Sequence, residues 1–177
     1  MESLKGRHVI LRALEPEDLE FLYQIENDTN IWEISGTVKP YSRKTLQRYL
    51  ENAHLDIYEA KQLRLCICDG NGQRIGFIDM FDFDPKNQRA GLGIVIADAE
   101  QRGKGYGEES VSLFCDYAFS RLLLNQVYVN VLRHNTASLQ LFAKLGFQQM
   151  GVKREWVRTE KGFADEIMLQ KLKSDVH

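Results

Sequence analysis

Several things are missing from this 177-residue chain, and each absence narrows what it can be. No apolar run approaches the roughly 20 residues of a membrane-spanning helix. The opening MESLKGRHVILRAL scatters charges where a secretory signal would carry an apolar stretch. There is no internal repeat, low-complexity segment or linker, so residues 1–172 are expected to form a single domain, with a frayed tail at 173–177. The net charge is only −2, which removes the basic excess of a general nucleic-acid binder. Cysteines number just 3, an odd count that points to reduced thiols in a cytoplasm. Cys66 and Cys68 share one face of an expected strand without the further ligands a metal site needs, so they read as small buried hydrophobes and no metal is expected.

What is present is an alternation of strand and helix signals. RHVILRA reads as a first strand, and Pro16 with Glu17 and Asp18 opens a helix carrying Leu19, Leu22, Tyr23 and Ile25. NDTNIWEISGTVKP reads as irregular. Ser42 is placed to cap a second helix, with Leu46, Leu50, Ala53 and Ile57 on one face. QLRLCIC and RIGFIDMFDF form a hairpin across Asp69-Gly70-Asn71-Gly72. RAGLGIVIA follows, a strand whose glycines suggest a bulge or a close-lying ligand. A helix from about Val111 to Leu122, the strand NQVYVNVL, a short helix from Asn135 to Leu145, and two strands around Lys161-Gly162 complete the chain. The order β-α-α-β-β-β-α-β-α-β-β implies a mixed α/β (α+β) sheet domain rather than a doubly wound dinucleotide fold.

Between the fourth strand and the next helix lies Glu100-Gln101-Arg102-Gly103-Lys104-Gly105-Tyr106-Gly107-Glu108. A Walker loop would need Ser or Thr after Gly-Lys, and Gly105 stands there. A dinucleotide fingerprint would need a third glycine at Glu108 and a place near the first strand. The pattern that remains, Arg102-x-x-Gly105-x-Gly107 before a helix, turns backbone N–H groups and a helix dipole toward one point, a site for pyrophosphate.

Gln101-Arg102-Gly103-Lys104-Gly105-Tyr106-Gly107 resembles the acetyl-CoA signature of the GNAT N-acetyltransferases. Asn135-Thr136-Ala137-Ser138-Leu139-Gln140-Leu141-Phe142-Ala143-Lys144-Leu145-Gly146-Phe147 resembles that family's later motif. HVILRALEPEDLEFLYQIEND and KGFADEIMLQKL resemble the branch of ribosomal-protein N-terminal and spermidine N-acetyltransferases. The resemblance implies a central, mostly antiparallel sheet of about seven strands, splayed between RAGLGIVI and NQVYVNV. It implies acetyl-CoA in that gap, on backbone groups of Ile94, Val95 and Ile96, with its pyrophosphate on the turn from Arg102 through Gly103, Lys104, Gly105 and Tyr106 to Gly107, and Asn135, Ser138 and Phe142 on the far side. It also implies direct acetyl transfer to a primary amine, of a polyamine or a protein N-terminus, in a ternary complex, and it permits a homo-oligomer.

Two positions depart from the family pattern. Phe142 stands where many relatives carry a tyrosine that protonates the leaving thiolate, which leaves Ser138 and Tyr128 as substitutes. Gly91 and Gly93 occupy the neighbourhood of a glutamate base, which leaves Asp79 and Asp82 as acids that either serve the amine or stand solvated at an edge. Glu26, Asp28, Trp32 and Glu33 fall where relatives build part of the acceptor pocket. These departures support a rival reading, a CoA-binding sensor with lost catalysis.

Overall fold

The computed structural model describes residues 4–176. Strands β1 (Leu4–Lys5) and β2 (Val9–Ala13) lead, through a 3-10 turn at Pro16–Asp18, into helices α1 (Leu19–Glu26), α2 (Thr29–Ser35), α3 (Arg43–Glu51) and α4 (Ile57–Ala60). The hairpin β3 (Leu63–Asp69) and β4 (Arg74–Asp84) follows, then β5 (Arg89–Ile96), α5 (Tyr106–Ser120), β6 (Gln126–Leu132), α6 (Thr136–Lys144), β7 (Gln148–Thr159) and β8 (Gly162–Leu172). Among the described residues these make one eight-stranded sheet in the order β1-β2-β3-β4-β5-β6-β8-β7. The strand beyond the expected seven is the two-residue β1.

Every neighbouring pair is antiparallel except β5 and β6, and that exception creates the site. Their parallel pairing runs only through Arg89↔Gln126, Ala90↔Val127 and Gly91↔Tyr128. Beyond Gly91, β5 continues to Ile96 with only β4 beside it, and the sheet opens.

The two faces of the sheet carry separate cores. Leu22, Ile25, Ile31 and Leu46, from α1 to α3, pack on Cys66, Cys68 and Phe77. Val111, Phe114, Cys115 and Ala118 of α5 pack on Leu65, Ile67, Ile78 and Met80 on the other face. Strand alternation sorts them, since successive side chains leave opposite faces. Each such fully buried aliphatic or aromatic side chain contributes about 1.5–3 kcal/mol. A buried carboxylate, Asp18, ties the first core to the sheet through Arg12 (2.8 and 2.9 Å) and Arg74 (2.5 Å).

Three local expectations change. The segment around Trp32 is the helix α2, because the Asp28 side chain accepts from the Asn30 N–H and Gly36, at φ 73°, closes the far end. The second helix stops at Glu51. Asp56 then starts a new turn by accepting from the N–H groups of Tyr58 and Glu59, which carries Ile57 into the other core. Residues 173–175, expected to fray, form a 3-10 turn in which Asp175 accepts from the Leu172 N–H at 3.0 Å; His177 lies outside the described residues.

Candidate active site

Where β5 and β6 part, a cavity of about 630 Å3 opens. It is walled by Ile94 and Val95 from β5, by Asn135, Ser138 and Phe142 at α6, and by Asp79 from β4. Six of the residues singled out from the sequence thus meet in one space. Ile96 differs, for its carbonyl accepts from Arg102 Nη2 at 3.2 Å. That contact turns the Arg102 guanidinium back onto β5.

The glycine turn adjoins this space. Gly103 (φ 76°) and Gly105 (φ 82°) both take the left-handed conformation, and Gly105 is the N-cap of α5. A β-carbon at Gly107 would stand 3.9 Å from Ile94 Cδ1 and 3.7 Å from Leu141 Cδ2, which places the first turn of α5 beside both walls of the opening. The first-turn N–H groups of a helix have no intrahelical acceptor and form a natural anion site. Two acids in that turn would oppose an anion, yet both are engaged elsewhere. Glu108 pairs with Lys144 at 2.9 Å, and Glu109 accepts from the His8 N–H at 2.9 and 3.1 Å. The open sheet edge and the unopposed helix start therefore fit an extended pantetheine and a pyrophosphate. Gly91 has another purpose than a close-lying ligand, because the Phe81 ring fills its missing side-chain space.

On the β4 wall of the cavity, Asp79 sits in register with Arg64 on β3 and with Gly93 on β5. Arg64 grips it with Nε to Oδ1 at 2.5 Å and Nη2 to Oδ2 at 3.2 Å, and reaches Glu26 Oε1 with Nη1 at 2.5 Å. Burial pushes the Asp79 carboxyl above its ordinary range, Arg64 opposes the rise, and Glu26 adds to it. Glu26, Glu33 and Glu166 also line the cavity, against Arg64 as the cation of its wall. Glu166 is paired with Lys153 at 2.8 Å, and Glu33 Oε2 lies 3.8 Å from His134 Nε2.

Asp82 does not join them. It occupies the β4 bulge between Phe81 and Asp84 at φ 48°, exposed and away from the cavity wall. Tyr128 also stays outside, its ring edge-on to Phe81 at 6.2 Å. Asp28 serves as the α2 cap, and Trp32 donates its indole N–H to the Glu26 carbonyl at 2.8 Å. The cysteines are buried in the cores, and burial pushes the Cys115 thiol up to about 12, which removes it as a nucleophile. The site residues that the sequence did not disclose are Arg64 and Glu166. The signal for Arg64 was a lone charge in the apolar strand LRLCIC.

Residues 8–148 match the family described as "Acetyltransferase (GNAT) domain". Spermidine N(1)-acetyltransferase of Vibrio cholerae is 29% identical over 141 residues, covering 80% of this chain and 79% of the relative. The solved structure of spermidine N-acetyltransferase from Vibrio cholerae with CoA and spermine shares the fold at a TM-score of 0.87 and 24% identity, over 96% of this chain and 98% of that chain. A dodecameric structure of spermidine N-acetyltransferase from the same organism matches with a TM-score of 0.80 and 26% identity, over 96% of each chain.

Proposed function

From the premise that the chain belongs to the acetyltransferase (GNAT) family and is an N-acetyltransferase using acetyl-CoA, we propose that its acceptor is a polyamine or a similar small amine carrying more than one positive charge. The observation that carries this reading is the gathering of Glu26, Glu33, Asp79 and Glu166 around one cavity. Asp79 and Glu26 share the single guanidinium of Arg64, and an aliphatic chain bearing ammonium groups matches both the negative charge left over and the apolar wall between the acids. The 29% identity to spermidine N(1)-acetyltransferase supports the same class.

In this reading the β5 edge at Ile94 and Val95 and the donors from Arg102 to Gly107 hold acetyl-CoA, which supplies an acyl group activated as a thioester. The residues of the chain do the rest. An alkylammonium, near pKa 10 in water, must lose a proton before its nitrogen attacks. Asp79 takes that proton, directly or through one water, and its raised pKa brings it toward the operating pH. The nitrogen then bonds to the acetyl carbon as the carbon–sulfur bond breaks. Ser138, on the cavity wall one turn before Phe142, relays the proton that the new amide nitrogen sheds: its O–H protonates the departing sulfur and the hydroxyl is restored by that proton. Phe142 has no proton to give; it is buried and packs edge-on to Phe147 at 5.2 Å.

We also assign a homo-oligomer, formed along β7. That twelve-residue strand is the outer edge of the sheet, with Met150 and Trp156 exposed and Phe163 exposed on β8 beside it. A cytoplasmic setting fits the three free cysteines.

The test is release of CoA thiol from acetyl-CoA with spermidine, simple diamines, monoamines and peptides with free N-termini. Turnover should be greatest with the polyamines. Preference for peptides would overturn the acceptor assignment, and firm acetyl-CoA binding without turnover on any amine would favour the sensor.

A further inference from the structure

Resting on the reading of Asp79 as proton acceptor, we propose that Arg64, itself held by Glu26, is a positioning residue that fixes the Asp79 carboxylate in the cavity and balances its charge. Arg64 and Asp79 are cross-strand partners on β3 and β4, so the contact needs no long reach. The planar guanidinium meets both carboxylate oxygens, which sets the rotation of the carboxylate as well as its place. Glu26 then takes Nη1 from the end of α1, and the rings of Phe77 (5.3 Å) and Tyr49 (5.9 Å) stand against the guanidinium carbon. The fork is thus held by two carboxylates and flanked by two rings.

The charge arithmetic adds a second consequence. Two carboxylates share one guanidinium, which leaves a net negative charge at the place where an ammonium would arrive. None of the three is sealed off. Their side chains remain 22% exposed at Arg64, 17% at Glu26 and 30% at Asp79, on the cavity side. Around Asp79 the charged or titratable neighbours are Arg64 from β3, Glu26 from α1 and Tyr49 from α3, while Gly93 on β5 contributes none. Glu33 from α2 and Glu166 from β8 line the same cavity.

The experiment is a carbon-13 NMR titration of side-chain carboxyls, with the Asp79 signal identified by its loss in Asp79→Asn, alongside kcat/KM for the amine on the same proteins. Arg64→Met removes the cation and should move the Asp79 midpoint up by about one unit or more. Glu26→Gln removes the anion and should move it down by less. Arg64→Lys keeps the charge without the fork, so the midpoint should stay near wild type while kcat/KM falls about tenfold. Midpoints that stay put, or that move the same way in Arg64→Met and Glu26→Gln, would overturn the proposal. Should Arg64→Met fail to fold, a downward shift in Glu26→Gln supports the proposal and its absence refutes it. Unchanged kcat/KM in Asp79→Asn would sink the catalytic assignment, whereas a wild-type kcat/KM in Arg64→Lys beside an impaired Asp79→Asn would overturn the positioning role alone.

Discussion

The ring of Phe81 lies over Gly91, filling the space that a side chain would take: a β-carbon there would stand 2.3 Å from Cε2. Gly91 is also the last residue of β5 paired with β6. Gly91→Ala should therefore push the ring aside at the point where the sheet begins to part. The expected loss is about 1–3 kcal/mol, as for other overpacked cores, read as a lower denaturant midpoint with an unchanged slope. A neutral Gly91→Ala would mean that the ring moves freely.

Gly105 is a different kind of glycine. Its surroundings are open, but its φ of 82° penalises any side chain by about 1–2 kcal/mol. Gly105→Glu should leave the protein folded and weaken acetyl-CoA at least tenfold in calorimetry, because a carboxylate would stand at the start of α5. Retained tight binding would remove the pyrophosphate from this turn.

Ser138 and Phe142 divide the proton-donor question. Ser138→Ala should lower kcat by about tenfold or more with KM for acetyl-CoA little changed, and Phe142→Tyr in that background should restore part of the loss. If Ser138→Ala turns over normally, the sulfur is protonated by solvent.

Asp18 should dominate the acid limb of the stability curve, being the carboxylate buried between two guanidinium groups. Burial pushes its carboxyl up, but hydrogen bonds from Arg12, Arg74 and the Glu15 N–H outweigh that and hold it at about 2, below its ordinary 3.8. A depressed native pKa gives stability that is full above about pH 4 and lost as the pH falls toward 2. Asp18→Asn should cost about 3 kcal/mol at neutral pH, since it strands two guanidinium groups, and should flatten the acid limb of the stability curve. An unchanged acid limb in urea melts from pH 2 to 6 would show that another group controls it.

Trp156 is 62% exposed on the sheet edge. Trp156→Asp should convert an assembly to smaller species in light scattering with little change in melting temperature. Equal masses for the two proteins would place any interface elsewhere.

Much of this protein is legible along the chain because the signals are local. The glycine turn needs only residues able to take positive φ, and Gly103 and Gly105 do. Asn135 caps α6 through its own side chain, accepting from the Ser138 N–H at 3.2 Å. Both motifs, and with them the family and its acetyl donor, follow from contacts within a few residues. The short helix α2 carried local signals too, Asp28 and Gly36, but it is too brief for periodicity to reveal.

The carboxylate wall of the cavity is another matter, since tertiary structure decided which acid enters. Continuing the pairing Cys68↔Arg74 without interruption would set Arg64 against Ile78; the shift between Ile67 and Cys68 moves it to Asp79. A second irregularity, between Phe81 and Asp84, turns Asp82 out to solvent. A one-residue slip changes the face on which a side chain emerges, and nothing in the strand composition encodes the slip. Glu166 reaches the cavity only because β8 inserts between β6 and β7. The sequence by itself determined the fold and the acetyl donor, whose signals are written in neighbouring residues; the register of the folded sheet decided which carboxylates line the cavity.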